Sequence, residues 1–179
     1  MASALRTAPD LLKQYAEYHR DRRNIATHLV GVPLIVFGVG VLLARPEFTL
    51  VGQVTTPLWC VFALFTIWTL TRGVLALGAV TLLAVGALMW LAQGVSGGST
   101  AQWLSWGLGA FVLGWIIQFI GHYYEGRKPA FVDDLTGLIV APMFVTMEML
   151  APLGLFRGLM SDIENHAGPT VMRDLAHPV

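Results

Sequence analysis

Charged residues are scarce in this sequence, and they are unevenly distributed. They make up 12% of the 179 positions, about half of the roughly 25% found in ordinary soluble domains. None stands between Glu47 and Arg72 or between Arg72 and Glu125. Uncharged apolar stretches of this length are typical of membrane-spanning helices. A soluble protein of this size would need far more charged surface, so we expect an integral membrane protein.

Three further absences narrow the function classes. The formal net charge is zero, so no basic surface indicates a nucleic-acid partner. The only cysteine is Cys60, which excludes an intramolecular disulfide and a cysteine-based metal cage. The N-terminal segment is polar and amphipathic and has no apolar core before a cleavage site, so we expect no signal peptide.

The apolar residues fall into five segments. A segment of about 20 residues forms a helix about 30 Å long, which matches the hydrocarbon core of a bilayer. We therefore expect one all-α membrane domain: a bundle of four to five transmembrane helices with a short amphipathic N-terminal helix. The last segment contains Pro142 and Glu148, and the sequence leaves open whether it spans the membrane or re-enters it. The expected elements are an interfacial helix at 9–23, apolar helices at 25–44, 55–71, 73–93, 101–121 and 135–155, and a polar tail at 157–179.

The distribution of Lys and Arg predicts an orientation. With the N-terminal flank in the cytoplasm, eight of the eleven Lys and Arg residues fall on the cytoplasmic side, as the positive-inside rule favours. We expect a cytoplasmic N-terminus in a bacterial inner membrane or, in a eukaryote, in the endoplasmic reticulum membrane. A homo-oligomer is compatible with the sequence, which leaves the oligomeric state open.

Three of the five histidines lie where polar and apolar stretches meet. His19 and His28 flank the start of the first apolar helix, and His122 follows the fourth. Four membrane crossings separate His28 from His122, so both lie on the same side of the membrane. Nine residues place His19 and His28 on opposite faces of a continuous helix, so the two meet only if the chain bends between them. Asn24 is the predicted N-cap of the first membrane helix.

These histidines form a candidate metal site. Neutral imidazoles bind divalent iron, zinc or copper, and three of them leave coordination positions open for a substrate or dioxygen. The alternative is that they cap helices or bind lipid headgroups. Nearby polar side chains could complete the metal shell or orient an imidazole: Glu125, Asp21, Asp133, Asp134 and Asn24. A basic collar could bind the carboxylate of an amphiphile: Arg20, Arg23, Arg127 and Lys128.

The stretches "YHRDRRNIATHLVGVPL" and "QFIGHYYEGRKPA" resemble the motifs of the 2-hydroxy fatty acid dioxygenase family, small membrane enzymes whose fungal member acts in phytosphingosine degradation. The resemblance covers roughly residues 8–155. It implies an iron(II)-dependent enzyme that uses dioxygen, without 2-oxoglutarate, to convert 2-hydroxy long-chain fatty acids into acids one carbon shorter, a reaction of fatty acid α-oxidation. It also implies that His19, His28 and His122 are the catalytic metal ligands.

Two other functions stay open at the level of the residues. Three histidines also suit zinc, so a zinc-dependent membrane hydrolase with Glu125 as general base is one alternative. A non-catalytic small transporter or adaptor is the other, because Pro33 and Pro142 interrupt the first and fifth segments. A membrane di-iron hydroxylase needs more histidines than the five present here. The acyl chain-length preference is also left open.

Overall fold

Long helices form most of this protein, of which the structure, a computed structural model, describes residues 4–129 and 135–174. Within these ranges the chain forms seven α-helices, a two-stranded hairpin and a 3-10 turn. The helices are α1 (Ala8–Ala16), α2 (Arg22–Ala44), α3 (Pro57–Leu70), α4 (Leu75–Ser96), α5 (Thr100–Glu125), α6 (Thr136–Leu150) and α7 (Arg157–Ala167). The strands β1 (Phe48–Leu50) and β2 (Gln53–Thr55) pair antiparallel, and the 3-10 turn is Ala151–Leu153.

Four helical stretches in the described part of the chain are long and apolar enough to cross a membrane. They correspond to α2, α4, α5, and α6 together with its 3-10 turn. Helix α3 is equally apolar but has only 14 residues. The predicted all-α membrane bundle with an amphipathic N-terminal helix is therefore confirmed.

Helix α1 is amphipathic and shorter than the predicted interfacial helix at 9–23. Thr7 caps its N-terminus by accepting a hydrogen bond from the backbone N–H of Asp10. The helix ends at Ala16, and residues 17–21 are not helical. Burial of each leucine on its inner face contributes roughly 1.5–3 kcal/mol. The buried residues are Ala8, Leu11, Leu12, Tyr15 and Ala16, and they pack with residues of α6 and α7.

The N-cap of α2 lies three residues before the predicted one. Asp21 is the N-cap, because its carboxylate accepts the backbone N–H of Arg23 at 2.8 Å. The prediction of Asn24 is wrong, since Asn24 lies in the first turn of the helix with its side chain buried. The helix then runs without interruption through Pro33 to Ala44. The chain therefore bends just before Asp21, within the stretch between His19 and His28 where convergence requires a bend.

Helices α2 and α5 pack antiparallel along a seam of glycines. A Cβ atom on Gly31 would lie 2.9 Å from the carbonyl oxygen of Gly114, and one on Gly38 would lie 2.7 Å from that of Gly107. Only glycine permits so close a backbone approach, as in other packed membrane helices. The seven-residue spacing repeats on both helices, so the seam aligns the start of α2 with the end of α5.

Helix α6 is the most enclosed of the long helices. All eight residues from Val140 to Met147 are buried, against α1, α2 and α4. Glu148, in its last turn, pairs with Arg20 at 3.7 Å. A carboxylate within an apolar helix is costly unless it is paired, and the corner between α1 and α2 supplies that partner.

Candidate metal centre

The structure brings His19, His28 and His122 together at one end of the bundle. The Nε2 atoms of His19 and His28 are 3.1 Å apart, and the His122 ring centroid lies 5.1 and 5.0 Å from theirs. One ring nitrogen from each residue lies within 4.8 Å of the other two. The residues are 0%, 1% and 7% exposed, respectively. These distances and burials are suited to a single metal ion.

Three different elements supply these side chains. His19 lies in the corner after α1, where its backbone N–H bonds to the carbonyl of Ala16 at 3.0 Å. His28 lies in the second turn of α2, and His122 lies in the last turn of α5. Because α2 and α5 are antiparallel, their two histidines meet, and the bend at 17–21 folds His19 over them.

The hydrogen bonds of two rings determine which nitrogens carry hydrogen. Nδ1 of His19 lies 2.7 Å from the carbonyl of Tyr15, and Nδ1 of His28 lies 2.9 Å from that of Asn24. A carbonyl only accepts, so both Nδ1 atoms donate and the neutral rings carry lone pairs on Nε2. The two Nε2 lone pairs therefore face each other at 3.1 Å, which is repulsive unless a cation lies between them. This donor set fits a divalent metal.

The surroundings of His19 keep its imidazole in the neutral form, which is the form that binds metals. Burial, reinforced by His28, holds the pKa of His19 well below 6.5, so the ring is neutral at physiological pH. A metal binds only this form. The ring of Tyr15 stacks on that of His19 at 4.0 Å between centroids, and burial raises the pKa of the Tyr15 phenol, which stays a hydrogen-bond donor. Within the described part of the chain, the buried Nδ1 atom of His122 has no hydrogen-bond partner.

Glu125 holds the corner that carries His19. Its Oε2 accepts the backbone N–H groups of Arg20 at 2.9 Å and Asp21 at 2.8 Å, and the side-chain amide of Asn24 at 3.1 Å. The carboxylate is fully buried and is not among the residues that line the cavity described below. In the structure Glu125 therefore contacts the backbone around the histidines rather than the rings themselves.

The other candidate polar residues have separate partners. Asp21 forms hydrogen bonds with the guanidinium of Arg23, which lower its pKa to about 2, and it does not belong to the three-histidine group. Asn24 acts through its backbone carbonyl, which orients the ring of His28. Asp133 and Asp134 lie outside the described residues.

The predicted basic collar does not face the cavity. The guanidinium of Arg20 is buried against the carbonyls of Ala16 and Gly168 and the carboxylate of Glu148. Arg23 binds Asp21 and lies over the ring of Tyr124. At the surface, Arg127 donates to the carbonyl of Glu17, and Lys128 is exposed. None of these four cations lines the cavity.

A cavity of about 370 Å³ opens from the three histidines into the bundle. It follows α2 from His28 to Leu43, a distance of about 22 Å at 1.5 Å per helical residue. Among the described residues that line it, none is charged. The polar lining residues are Tyr15, His19, His28, Gln118 and His122, all at the histidine end. The remainder of the lining is apolar.

Sequence reasoning missed Gln118 and Arg173. Gln118 precedes His122 by four residues, so the two share a face of α5, and this spacing could have identified it. Its side chain is buried beside His28. Arg173 contacts Glu125 from more than 40 residues away in the chain, and nothing in the sequence pattern points to that pair.

Comparisons with known proteins found a matching family and a similar curated protein. A model of the family described as "2-hydroxy-palmitic acid dioxygenase Mpo1-like" matches residues 5–153. The curated 2-hydroxy-palmitic acid dioxygenase MPO1 of Saccharomyces cerevisiae is 32% identical over 154 residues, which cover 84% of each chain. No solved structure matches the chain. All three histidines lie within the residues that the family model matches, whereas α7 and the segment after it lie beyond them.

Proposed function

The chain belongs to the 2-hydroxy-palmitic acid dioxygenase Mpo1-like family, and from this premise we propose that it is an iron(II)-dependent dioxygenase that converts 2-hydroxy long-chain fatty acids into acids one carbon shorter. The observation that carries the proposal is the pair of buried Nε2 atoms 3.1 Å apart, at the polar end of an apolar cavity. His19, His28 and His122 would hold the ion. Iron bound there would supply dioxygen activation and positions for the substrate's oxygen atoms.

The cavity suits a long acyl chain with its head at the histidines. Its walls along α2 are apolar as far as Leu43, and each methylene buried there contributes about 0.8 kcal/mol. A chain seated in this direction places its carboxylate and 2-hydroxyl group beside the three rings. The apolar lining keeps water away from the acyl chain.

The substrate head would be oriented by neutral donors. No charged side chain lines the described part of the cavity, so a carboxylate there relies on the metal and on hydrogen bonds. The side-chain amide of Gln118 and the phenol of Tyr15 line the cavity beside the histidines, and both groups can donate. They take the role that the sequence suggested for Arg20 and Arg23.

The orientation in the membrane is part of the proposal. With the N-terminus in the cytoplasm, the histidine end of the bundle faces the cytoplasm and the acyl end of the cavity lies within the bilayer. A fatty acid dissolved in the membrane would then present its head at the depth of the metal. We place the protein in a bacterial inner membrane or, in a eukaryote, in the endoplasmic reticulum membrane.

The alternative functions receive less support from the geometry. A zinc hydrolase needs a general base within reach of its water, but Glu125 is occupied by two backbone N–H groups and an amide. A transporter needs a polar path through the bundle. Among the described residues, the cavity is polar only at its histidine end.

Reconstitution tests the proposal directly. Purified protein loaded anaerobically with ferrous iron should convert 2-hydroxypalmitic acid, after dioxygen is added, into the acid one carbon shorter, measured by mass spectrometry. His19→Ala, His28→Ala and His122→Ala should each abolish the product, because two imidazoles hold the ion too weakly. His166→Ala is the matched control, since His166 pairs with Glu17 at the surface. Product formed without dioxygen or with zinc alone would contradict the proposal, as would full activity of all three variants.

A further inference from the structure

A short segment at residues 168–174 packs against the corner that carries His19. The backbone N–H of Val171 donates to the carbonyl of Arg20 at 2.9 Å, and the N–H of Arg22 donates to the carbonyl of Val171 at 2.9 Å. These bonds pair Val171 with Asp21 as a single parallel bridge. The segment follows α7 and lies beyond the residues matched by the family model.

Arg173 provides the strongest contacts of this segment. Its backbone N–H donates to the carboxylate of Asp21 at 2.8 Å, and its carbonyl accepts from the guanidinium of Arg23 at 2.7 Å. Its own guanidinium lies 3.2 Å from Oε1 of Glu125. Arg173 thus contacts both the N-cap of α2 and the last turn of α5.

The ion pair with Arg173 stabilises the buried charge of Glu125. The carboxylate is 0% exposed, and a buried charge is strongly destabilising without a partner. The hydrogen bonds to Glu125 reach Oε2, and no described residue forms a hydrogen bond of good geometry with Oε1. The guanidinium of Arg173 is the cation beside that second oxygen.

The same carboxylate positions His19. The two backbone N–H groups bound to Oε2 belong to Arg20 and Asp21, which directly follow His19 in the chain. Unlike His28 and His122, His19 does not lie within a long helix. Its position therefore depends on these hydrogen bonds and on the contacts of its neighbours.

We propose that the segment 168–174 is a working part of the metal centre, in which Arg173 is a positioning residue that acts through Glu125 to hold His19 against His28. The role of this segment in metal binding rests on the proposed function, whereas its role in positioning His19 does not.

Metal binding is the first test, using the full chain in detergent and Co²⁺ as a spectroscopic probe. Arg173→Ala should weaken Co²⁺ binding on the order of 10- to 100-fold, as is typical for residues that orient metal ligands, and should change the visible absorption of the bound ion. Arg173→Lys, which keeps the charge, should restore part of the affinity. Arg157→Ala, at an exposed position on α7, should bind like the wild type.

Chemical protection of His19 is a second test that needs no metal. In the metal-free wild type, diethyl pyrocarbonate should modify His19 slowly because the ring is buried. The reaction should be faster in Arg173→Ala, because His19 is then held less firmly. Peptide mass spectrometry distinguishes His19 from His28 and His122, and the half-exposed His166 reports on reagent activity. If the wild type binds no metal, the proposed function fails, and this measurement still decides the positioning role.

Combining Arg173→Ala with Glu125→Gln tests whether Arg173 acts on His19 through Glu125. If Arg173 acts through Glu125, the double variant should protect His19 no worse than Glu125→Gln alone. Additive effects would overturn the proposal, and so would unchanged Co²⁺ affinity and His19 protection in Arg173→Ala. Equal exposure of all three buried histidines together with lost helicity would also overturn it, since Arg173 would then stabilise the whole fold.

Discussion

His19 and His28 use the same local contact to orient their rings. Each donates its Nδ1–H to the backbone carbonyl four residues earlier, which directs both Nε2 atoms into one buried space. Backbone carbonyls commonly orient metal-binding histidines in this way. The arrangement is costly without a cation, because two desolvated lone pairs face each other. At the scale of single residues, the three imidazoles could therefore hold a metal before any substrate is considered.

Gln118 is the residue whose replacement best tests how the substrate head is held. Gln118→Leu should raise the KM for a 2-hydroxy acid about tenfold, since a hydrogen bond to a charged group contributes roughly 1.5–3 kcal/mol. Gln118→Glu should raise the KM further, because its carboxylate would face the carboxylate of the substrate. Steady-state kinetics of the iron-loaded protein measures both effects.

Gln53→Leu provides the matched control for Gln118. Gln53 lies in the exposed hairpin between α2 and α3, away from the cavity lining. The kinetic constants of Gln53→Leu should therefore equal those of the wild type. An unchanged KM in both Gln118 variants would contradict the proposed role of the amide.

At the scale of elements, the glycine seam between α2 and α5 sets the distance between two of the histidines. His28 lies one turn from Gly31, and His122 directly follows Gly121, whose position faces Asn24 and Thr27 of α2. Because the seam sets how closely α2 and α5 approach, a change along it should move His28 relative to His122. The 17–21 bend is the other determinant, since it carries His19 to the other two histidines.

Gly114→Ala should separate the two helices. A Cβ atom at Gly114 would lie 2.8 Å from the carbonyl oxygen of Gly31 and 2.7 Å from Cγ1 of Ile35, so the backbone must move. Overpacking of this kind costs about 1–3 kcal/mol of stability, and metal affinity should fall with it. Thermal unfolding in detergent and Co²⁺ titration measure the two effects.

Gly109→Ala is the control for this change, five residues earlier on the same helix. A Cβ atom there meets nothing within 4 Å, and alanine has the higher helix propensity by up to about 1 kcal/mol. Its stability should equal or exceed that of the wild type. If both substitutions lowered stability equally, the close approach at Gly114 would not be the cause.

At the scale of the whole molecule, the cavity extends from the metal centre along α2 towards the opposite end of the bundle. Its far end is formed by residues of α2, α3 and α4, including Leu43, Leu58 and Met89. These residues also belong to the second hydrophobic cluster of the fold or pack against it. The depth of the cavity is therefore determined by how the bundle packs far from the site of chemistry.

Leu43→Trp should shift the enzyme towards shorter substrates. The larger side chain displaces the end of a long acyl chain, and two lost methylene contacts at about 0.8 kcal/mol each reduce activity about tenfold. The ratio of turnover on 2-hydroxypalmitic acid to that on 2-hydroxylauric acid measures the shift. Leu83→Trp, on an exposed face of α4, should leave the ratio unchanged, and an equal loss on both acids in Leu43→Trp would contradict the depth argument.

The sequence by itself determined the membrane class, the apolar helices and the requirement for a bend between His19 and His28. These follow from local properties, since hydropathy and the helical period depend only on neighbouring residues. The prediction that His28 and His122 lie on the same side of the membrane also used the apolar segments alone. The ends of the helices are less well determined by the sequence, because capping depends on where the chain bends. Helix α1 ends at Ala16, and Asp21 rather than Asn24 caps α2.

Only the tertiary structure decided which groups face one another. It turned Arg20 towards Gly168 and Glu148 instead of the cavity, placed Gln118 in the lining, and brought Arg173 to Glu125. These contacts join residues far apart in the chain at distances of 3–4 Å. Hydropathy patterns cannot resolve such distances, because they depend on how closely whole helices pack.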